Sequence, residues 1–386
     1  MRRTTDAERE RLNETFAALC RIESPSGCER ACADWITEQL RRMGLDVTED
    51  DAGPQVGSDA GNLLARIPGT GPDSILLCAH MDTVPLTAPI EPVRDDGGWE
   101  NAGEGILGAD NKSAVAVILE VARRVTSAAR PPEVGIELLF TICEEVSLRG
   151  SRAFDASRLD SRFGYVFDHA TPIGEIVLAS PTHHRIDAEL RGRAAHAGVR
   201  PEVGRSAIAA AASAIAAMRL GRVDAETTAN VGTIEGGTAI NVIPERCQIV
   251  AEVRSLDRDR AQSVATEMID HLQEAADAAE CDLDVTIQRG FEGYRIRPRA
   301  IEVAVAEQAL RACGYEPKHI VTGGASDANT LRVAGFPCVC LADGVENNHE
   351  PTERISVDAL EGMLEVALAI VDEAGRALAG VEGAAA

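Results

Sequence analysis

The chain has 386 residues, and this length predicts two domains because one hydrophobic core rarely serves so many residues. Hydrophobic residues make up 45% of the chain and charged residues 26%, as is typical of globular proteins, and the formal net charge is −24. So much negative charge argues against nucleic acid and anionic membrane surfaces as partners.

The cysteines and the first residues bear on the compartment. Most of the ten cysteines stand in apolar company, as in ILLCAH and FPCVCLA, which predicts reduced, buried thiols in a cytoplasmic protein. The opening segment MRRTTDAERERLNE has no apolar stretch after its arginines, so no signal peptide is expected. No apolar run is long enough to span a bilayer.

Strands and helices alternate along the first part of the chain. Helices are predicted over residues 6–21 and after SPSG, where Cys32, Ile36 and Leu40 share one face. Four apolar runs, NLLARI, SILLCAH, GIELLFTICE and YVFD, predict strands, and ADNKSAVAVILEVARRV predicts an amphipathic helix between the second and third. This order predicts an α/β domain with a mixed, largely parallel sheet and helices on both faces.

The pattern changes between residues 182 and 291. RIDAELRG, ANVGTIEGG, CQIVAEVRS and DLDVTIQR predict strands, and SAIAAAASAIAAM and residues 258–278 predict helices. Their order is β-α-β-β-α-β, that of a ferredoxin-like domain. A helix over 301–313, the strands HIVTGG and FPCVCLA and a helix near 357–380 then resume the α/β style. We therefore predict one domain over 1–181 and 292–386, with the domain 182–291 inserted into it.

Histidine and carboxylate side chains follow several predicted strands. Because sheet enzymes place their sites at the carboxyl ends of strands, these side chains are expected to meet. Imidazole and carboxylate ligands suit zinc, cobalt or manganese. Each residue alone has an ordinary structural explanation; Asp110, for example, could cap a helix. Their repeated placement after strands instead favours a metal site. The residues are His80, Asp82, Asp110, Glu144, Glu145, Asp168 and His349.

A glycine pattern offers a competing interpretation. Gly103, Gly105 and Gly108 spell G-x-G-x-x-G, and a predicted helix follows them. The dinucleotide fingerprint requires an apolar strand before the glycines, whereas VRDDGGWENA is polar. A nucleotide-dependent enzyme therefore stays a rival hypothesis, which absence of NAD or ATP binding would remove.

Taken together, the motifs resemble the M20 metallopeptidases, the family of peptidase T, carboxypeptidase G and the aminoacylases. AHMDTVP resembles the family's H-x-D signature, LGADNKSAVA its bridging-aspartate motif and CEEVSLRGS its Glu-Glu motif. GRAAHAGVRPEVGRSAI, NVIPE and EVRSLD resemble stretches of its lid domain, and GGASDANTLRVAGFPCV and His349 complete the set. The wording is most similar to the peptidase T-like branch. The resemblance implies a zinc-exopeptidase-like catalytic domain and an inserted lid that also forms a homodimer.

The resemblance assigns a role to each of these residues. His80 and Asp168 would hold one divalent ion, Glu145 and His349 a second, and Asp110 would bridge the two. Zinc is the preferred ion, and cobalt or manganese fit the same ligands. Asp82 would orient the His80 ring, Glu144 would be the general base for a bridging hydroxide, and the peptide bond Asp110–Asn111 would be cis.

The lid and the late motif would supply substrate contacts. The resemblance implies that His196 stabilises the oxyanion and that Arg254 clamps a substrate carboxylate, as a guanidinium can in a forked geometry. Asn241 would also contact substrate, and Gly323, Gly324 and Ser326 would line the substrate pocket. Three further histidines have no role in this scheme and are expected at the surface: His169, His183 and His184.

The sequence thus predicts a cytoplasmic di-metal hydrolase that cleaves an amide bond in a short peptide. An N-acyl-amino-acid amidohydrolase or desuccinylase would use the same site, and only a substrate panel separates the two. A non-catalytic binding protein of the same fold is a more remote alternative. It would be favoured by a missing ligand or a missing Glu144, and none is missing.

Overall fold

The computed structural model describes residues 4–95 and 97–385, with side chains described as far as residue 380. The described residues form ten α-helices: α1 (Asp6–Cys20), α2 (Arg30–Arg42), α3 (Ala52–Val56), α4 (Ala109–Thr126), α5 (Arg149–Ala153), α6 (Ala207–Ala217), α7 (Arg258–Ala278), α8 (Ile301–Ala312), α9 (Asp327–Val333) and α10 (Val357–Ala385). The strands of the same residues are β1 (Val47–Glu49), β2 (Leu63–Ile67), β3 (Ser74–His80), β4 (Pro92–Arg94), β5 (Gly98–Asn101), β6 (Gly135–Thr141), β7 (Phe163–His169), β8 (Glu175–Ser180), β9 (Thr182–Arg191), β10 (Gly221–Asp224), β11 (Thr227–Gly236), β12 (Arg246–Ser255), β13 (Asp282–Phe291), β14 (Tyr294–Arg295), β15 (Lys318–Val321), β16 (Cys338–Ala342), β17 (Val345–Glu346) and β18 (Arg354–Ser356).

The described chain divides into two compact units. Unit 1 contains the described residues before Ala179, together with Ile296–Val321 and the described residues from Ser326 onward. Unit 2 contains Ala179–Arg295 and Thr322–Ala325. None of the described helices is long and apolar enough to cross a membrane.

Side-chain caps explain where several helices begin. Thr5 precedes α1, and its hydroxyl accepts a hydrogen bond from the backbone N–H of Glu8, while the Glu8 carboxylate accepts one from the N–H of Thr5 at 2.7 Å. This reciprocal pair satisfies two of the amides that a helix start leaves without partners. Asp257 caps α7 by accepting from the N–H groups of Asp259 and Arg260 at 2.9 and 3.0 Å. At the end of α2, Gly44 takes a φ of +81°, which a residue with a side chain rarely adopts.

Unit 1 is built on a mixed sheet with a parallel centre. Its strands lie in the order β1-β2-β6-β3-β7-β16-β8, and β15 pairs with β8. The neighbours β6, β3, β7 and β16 run parallel, whereas the pairs β1 with β2, β2 with β6 and β8 with β16 are antiparallel. Every residue of β6 is buried, as expected of a central strand that is covered on both faces.

Helices lie on both faces of this sheet. On β7, the Tyr165 hydroxyl donates to the carbonyl of Glu302 in α8 at 3.0 Å. The preceding residue, Gly164, faces Phe336 just after α9, and a Cβ there would lie 3.0 Å from the ring. Successive residues of a strand face opposite sides, so α8 and α9 cover different faces. The predicted α/β architecture of the larger domain is confirmed.

A second, small sheet in unit 1 was not predicted. Its order is β17-β18-β5-β4, and all its pairs are antiparallel. Ile355 of β18 pairs with Trp99 of β5, and both side chains are buried. The sheet thereby joins two loops that are distant in sequence, the one that follows β5 and the one that connects β17 to β18.

Unit 2 is an antiparallel sheet with two helices against it. The order is β10-β11-β12-β9-β13, and α6 and α7 pack on β9 and β12. The strand β9 alternates buried and more exposed residues, with Ile186, Ala188 and Leu190 in the core of the unit. The predicted ferredoxin-like order is present, and β10 is an additional edge strand that the sequence did not reveal.

Candidate metal centre

Three adjacent parallel strands deliver side chains to one edge of the unit 1 sheet. His80 is the last residue of β3, Glu144 and Glu145 lie in the turn after β6, and Asp168 stands near the end of β7. Since β3 lies between β6 and β7 and all three run parallel, their carboxyl ends meet at the same edge. The regular part of the site follows directly from the order of these strands.

The other two predicted ligands come from the loops that the small sheet joins. Asp110 lies at the start of α4, after a loop that leaves β5, and His349 lies in the turn between β17 and β18. The peptide bond between Asp110 and Asn111 is cis, as the resemblance implied. Asp110 does not cap its helix, because its carboxylate turns towards the two histidines.

The Asp110 carboxylate lies between two pairs of potential ligands. Its Oδ1 is 3.1 Å from His80 Nε2, and its Oδ2 is 3.3 Å from His349 Nε2. His80 Nε2 is also 3.5 Å from Asp168 Oδ1, and His349 Nε2 is 3.0 Å from Glu145 Oε1. A tetrahedral zinc ion with bonds of about 2.0–2.1 Å holds its ligand atoms about 3.3 Å apart, so these separations fit two ions that share Asp110.

Among the described residues, three groups of side chains could hold a metal ion. In each group the potential ligand atoms lie within 4.8 Å of one another. Two of the groups match the ligand sets that the family resemblance implied, and the third brings the Glu-Glu pair beside the first histidine. The groups are His80 with Asp110 and Asp168, Asp110 with Glu145 and His349, and His80 with Glu144 and Glu145.

The orientation of the His80 ring also fits a cation. Its Nδ1 lies 3.0 Å from the carbonyl oxygen of Asp82 and 3.5 Å from the Asp82 carboxylate, so Nδ1 is the ring nitrogen that donates. A neutral ring then turns the lone pair of Nε2 towards the carboxylates of Asp110 and Asp168. Lone pairs that face one another need a positive charge between them, and a bound divalent ion would supply it.

The electrostatics of the buried carboxylates point the same way. Burial raises the pKa of Glu144 well above its usual value, and the charges of Asp168 and Glu145 add to the rise. Burial also raises the pKa of Asp168 to about 8, although His80 opposes the shift. Burial alone would lower the pKa of His80, but the charge of Asp168 and a hydrogen bond with Asp110 raise it well above its usual value. Bound divalent ions would favour the charged carboxylates and the neutral ring instead.

Asp82 holds both the first histidine and the Glu-Glu turn. Its side chain is fully buried, and its two oxygens accept from the backbone N–H groups of Glu144 at 2.9 Å and Glu145 at 3.2 Å. The hydroxyl of Ser26 donates to it at 2.7 Å. The sequence predicted the contact with His80 but not these backbone contacts. They fix the turn that aims the two glutamates.

The turns that carry the ligands are locally strained. Cys143, just before the Glu-Glu pair, has a φ of +51°, and His349 and Asn347 have values of +67° and +54°. Residues other than glycine adopt such values only where surrounding contacts impose them, and they concentrate at functional sites. Here the strain falls on the residues that direct Glu144, Glu145 and His349.

The G-x-G-x-x-G loop is already occupied by a side chain of the protein. The Glu353 carboxylate accepts hydrogen bonds from the backbone N–H groups of Leu107, Gly108 and Asp110 at 2.8, 2.7 and 2.9 Å. These are amides that a phosphate would use in a nucleotide site. The strand before the loop, β5, is short and belongs to the small sheet. Neither observation favours nucleotide binding.

Glu353 and Asn348 are two residues at this site that the sequence did not single out. Asn348 donates from Nδ2 to Asp110 Oδ2 at 2.9 Å. Both residues belong to the turn that carries His349, and their partners lie more than 230 residues away along the chain. The position of Glu353 four residues after His349 was visible in the sequence, but no local pattern identifies its partners.

In unit 2, His196 and Asn241 lie on neighbouring segments. His196 pairs with Val242 in an isolated antiparallel bridge, and the N–H of Ala197 donates to the carbonyl of Asn241 at 2.9 Å. Both His196 and Asn241 are exposed. The N–H of Gly198 donates to His196 Nδ1 at 3.2 Å, which leaves Nε2 as the protonated nitrogen of a neutral ring.

Arg254 has a defined orientation within unit 2. Its guanidinium donates to the Glu252 carboxylate at 3.1 Å and to the carbonyl of Gly323 at 2.9 Å, and it lies over the Phe291 ring at 5.7 Å. The His183 ring stacks on the same Phe291 ring, with ring centroids 5.0 Å apart. These contacts hold the Arg254 guanidinium in one orientation within unit 2.

The remaining predicted residues lie in different surroundings. Gly323 and Gly324 belong to unit 2, and Gly323 is exposed. Ser326 is 3% exposed and precedes α9, and its backbone N–H donates to the Asn329 side-chain oxygen at 3.2 Å. The expected surface placement of the extra histidines is wrong for His184, which is only 6% exposed because it stands in the covered strand β9.

Similarity to known proteins extends over nearly the whole chain. A model of the M20 peptidase dimerisation domain matches residues 182–280, and a model of peptidase family M28 matches residues 62–206. The uncharacterized protein YqjE of Bacillus subtilis is 35% identical over 95% of this chain and 99% of its own.

Two solved structures share the fold. The aminopeptidase PepT of Bacillus cereus has a TM-score of 0.86 and 38% identity, covering 95% of this chain and 98% of its own. A tripeptidase of Staphylococcus aureus has a TM-score of 0.91 and 33% identity, covering 95% of this chain and 99% of its own. Identity above 30% over nearly complete chains, with the dimerisation domain matched inside them, shows that this protein belongs to the M20 family of peptidases and resembles its peptidase T-like members.

Proposed function

We propose that this M20 peptidase hydrolyses the peptide bond of short peptides at a centre of two divalent ions, with Glu144 as general base. The observation that carries the proposal is the shared Asp110, whose two oxygens lie 3.1 and 3.3 Å from the ring nitrogens of His80 and His349. The relatives named as an aminopeptidase and a tripeptidase support short peptides as the substrate class.

The five candidate ligands would hold the ions as two overlapping sets. His80 and Asp168 serve one ion, Glu145 and His349 the other, and Asp110 both. Zinc is the preferred ion because imidazole and carboxylate ligands suit it, and cobalt and manganese accept the same set. When bound, two such ions lower the pKa of water towards about 7 and polarise a carbonyl oxygen.

Glu144 performs the proton transfers in this proposal. Its backbone is fixed by Asp82 at 2.9 Å, and its side chain is 8% exposed, so it faces the site with little access to bulk water. Its carboxylate accepts a proton from the attacking water and then gives it to the nitrogen of the leaving amine. The neighbouring Glu145 points to His349 instead, because successive side chains at a strand end diverge.

Residues of unit 2 complete the proposal. His196, with its proton on Nε2, donates to the oxyanion that forms on the scissile carbonyl. Arg254 binds a substrate carboxylate through its fork, with Asn241 and the backbone of Gly323 and Gly324 as further contacts. Ser326 at the start of α9 is a further proposed contact to the substrate.

We also propose a cytoplasmic homodimer that forms through the domain 182–291, inserted into a catalytic domain of 1–181 and 292–386. The match of residues 182–280 to a dimerisation domain supports the contact. All ten cysteines are unpaired and eight of them are buried, which supports a reducing compartment. Light scattering of the purified chain measures the dimer directly.

The proposal is tested by ion content and a substrate panel. We expect two zinc ions per chain by elemental analysis, hydrolysis of tripeptides, and loss of that activity when a chelator removes both ions. Activity that survives complete ion removal would refute the metal-dependent hydrolysis. The panel includes N-acetyl and N-succinyl amino acids, and preference for these over peptides would identify a deacylase on the same site.

A further inference from the structure

Two loops of unit 1 are tied together by a single buried carboxylate. The first, called here the Asp110 loop, covers residues 102–110, and the second, the His349 turn, covers residues 347–353. Glu353, at the end of the His349 turn, is 2% exposed, and both of its carboxylate oxygens accept hydrogen bonds from the Asp110 loop. Its Oε2 accepts from Leu107 and Gly108, and its Oε1 accepts from Asp110.

These contacts reach the ligand residues at their backbones. The bond from the N–H of Asp110 is 2.9 Å long and fixes the peptide unit from which the shared carboxylate projects. Within the His349 turn, the N–H of Glu353 donates to the carbonyl of Glu350 at 3.0 Å, one residue after His349. Displacement of Glu353 would therefore move the Asp110 carboxylate and the His349 ring relative to one another.

Further contacts make the same two segments depend on one another. Asn348 donates to Asp110 Oδ2 at 2.9 Å, and His349 Nε2 lies 3.3 Å from the same oxygen. His349 holds its φ of +67° within this turn, a conformation that needs support from its surroundings. Three side chains of one turn, the amide of Asn348, the imidazole of His349 and the carboxylate of Glu353, converge on Asp110.

We propose that Glu353 is a positioning residue that sets the separation of the Asp110 carboxylate from the His349 ring, and thereby the affinity of the ion site formed by Asp110, Glu145 and His349. The inference rests on the proposed function, since it assumes that these residues bind ions. The other site also contains Asp110, but it is expected to lose less affinity because its remaining ligands, His80 and Asp168, stand on paired strands of the main sheet.

The test variant is Glu353→Gln, which keeps the size of the side chain. An amide offers one acceptor oxygen and one N–H₂ group, so at least one of the two faces that now receive backbone N–H groups meets a donor instead. Ion binding is measured with Co²⁺ by competition against a chromophoric chelator, and the absorption spectrum of the bound cobalt is recorded for each site. Outer partners of metal ligands typically change affinity by about 10–100-fold.

A matched control exists in the same unit. Glu137 is 1% exposed, and its carboxylate also accepts two backbone N–H groups, those of Asp160 and Ser161 at 2.9 and 2.8 Å, together with Arg66 at 2.8 Å. Glu137→Gln thus removes a comparable buried carboxylate at a position that contacts none of the candidate ligands. Thermal unfolding of both ion-free variants measures the structural cost that they share.

We expect Glu353→Gln to bind the second cobalt ion about 10–100-fold more weakly and with an altered spectrum, and to lose less affinity for the first ion, which shares Asp110. Glu137→Gln should bind both ions as the parent does. An unchanged affinity for the second ion in Glu353→Gln, a loss as large at the first ion as at the second, or equal weakening in Glu137→Gln would overturn the positioning role. If Glu353→Gln does not fold, Glu353→Asp, which keeps the charge on a shorter arm, must weaken the second ion more than the first. A parent chain that binds fewer than two ions would refute the proposed function instead.

Discussion

The adjacent glutamates of the Glu-Glu turn should respond differently to the same substitution. Glu144→Gln removes the proposed base and keeps the shape of the side chain, and its backbone N–H still donates to Asp82. Loss of a general base costs about 10²–10⁴-fold in turnover, which corresponds to about 2.7–5.5 kcal/mol of activation free energy. We therefore expect kcat to fall by at least about 100-fold while the ion content stays at two per chain.

The companion variant Glu145→Gln tests the proposed role of the second glutamate, which is to bind an ion. Glu145 Oε1 lies 3.0 Å from His349 Nε2, so its replacement removes a charged ligand atom from the second ion site. We expect the affinity for that ion to fall by about tenfold or more, with activity restored in part by excess zinc. Glu144→Gln should show no such rescue, because its ions are already bound.

The assay is tripeptide hydrolysis followed by release of the free amine, with ion content measured on the same samples. Thermal unfolding of the ion-free proteins is the control for folding. Burial and the nearby charges raise the pKa of Glu144, so a neutral amide there should not lower the stability of the ion-free protein at neutral pH. Equal loss of ions in both variants, or turnover of Glu144→Gln within tenfold of the parent, would refute the division of roles.

Two further predictions concern unit 2. Arg254→Lys loses either the Glu252 or the Gly323 contact, because an ammonium lacks the forked geometry of a guanidinium. We expect KM for a peptide with a free carboxylate to rise about tenfold or more, while KM for the C-terminal amide of the same peptide changes little. Equal changes in KM for both peptides would contradict the proposed carboxylate clamp. The hydrogen bond from His183 lowers the pKa of Glu252 to about 2, with Arg254 contributing, so the stabilisation by this carboxylate is complete above its usual value of 4.5 and is lost as pH falls towards 2. Glu252→Gln should therefore be less stable than the parent to urea at pH 7, and the difference should shrink below pH 4.5; a constant difference would count against the pair.

Much of unit 1 could be predicted because its strands are long, apolar and central. SILLCAH was predicted as a strand, and β3 has the same bounds, Ser74–His80. The regular strand-end positions of His80, Glu145 and Asp168 follow from the same pattern. The strand-end members of the predicted metal set come together because strand order and strand direction fix where those ends lie.

The elements that could not be predicted depend on partners far away in the chain. The strands β4, β5, β17 and β18 have two to four residues each and are partly polar, so no periodic pattern marks them. They form because they pair with one another, as Ile355 does with Trp99. Lys112 is another example: it is fully buried in α4 and donates to the carbonyl of Ile22, although lysine is ordinarily a surface residue.

The contact between Glu353 and the glycine-rich loop bears on how such loops are recognised in genomes. A G-x-G-x-x-G sequence describes a run of backbone amides that is ready for an anion, but it does not specify which anion binds there. In this protein the anion is covalently part of the chain, about 245 residues further along. Searches for cofactor fingerprints would therefore gain accuracy by asking whether a distant acidic residue of the same protein already fills the anion position, since such a loop has no vacancy to offer a nucleotide.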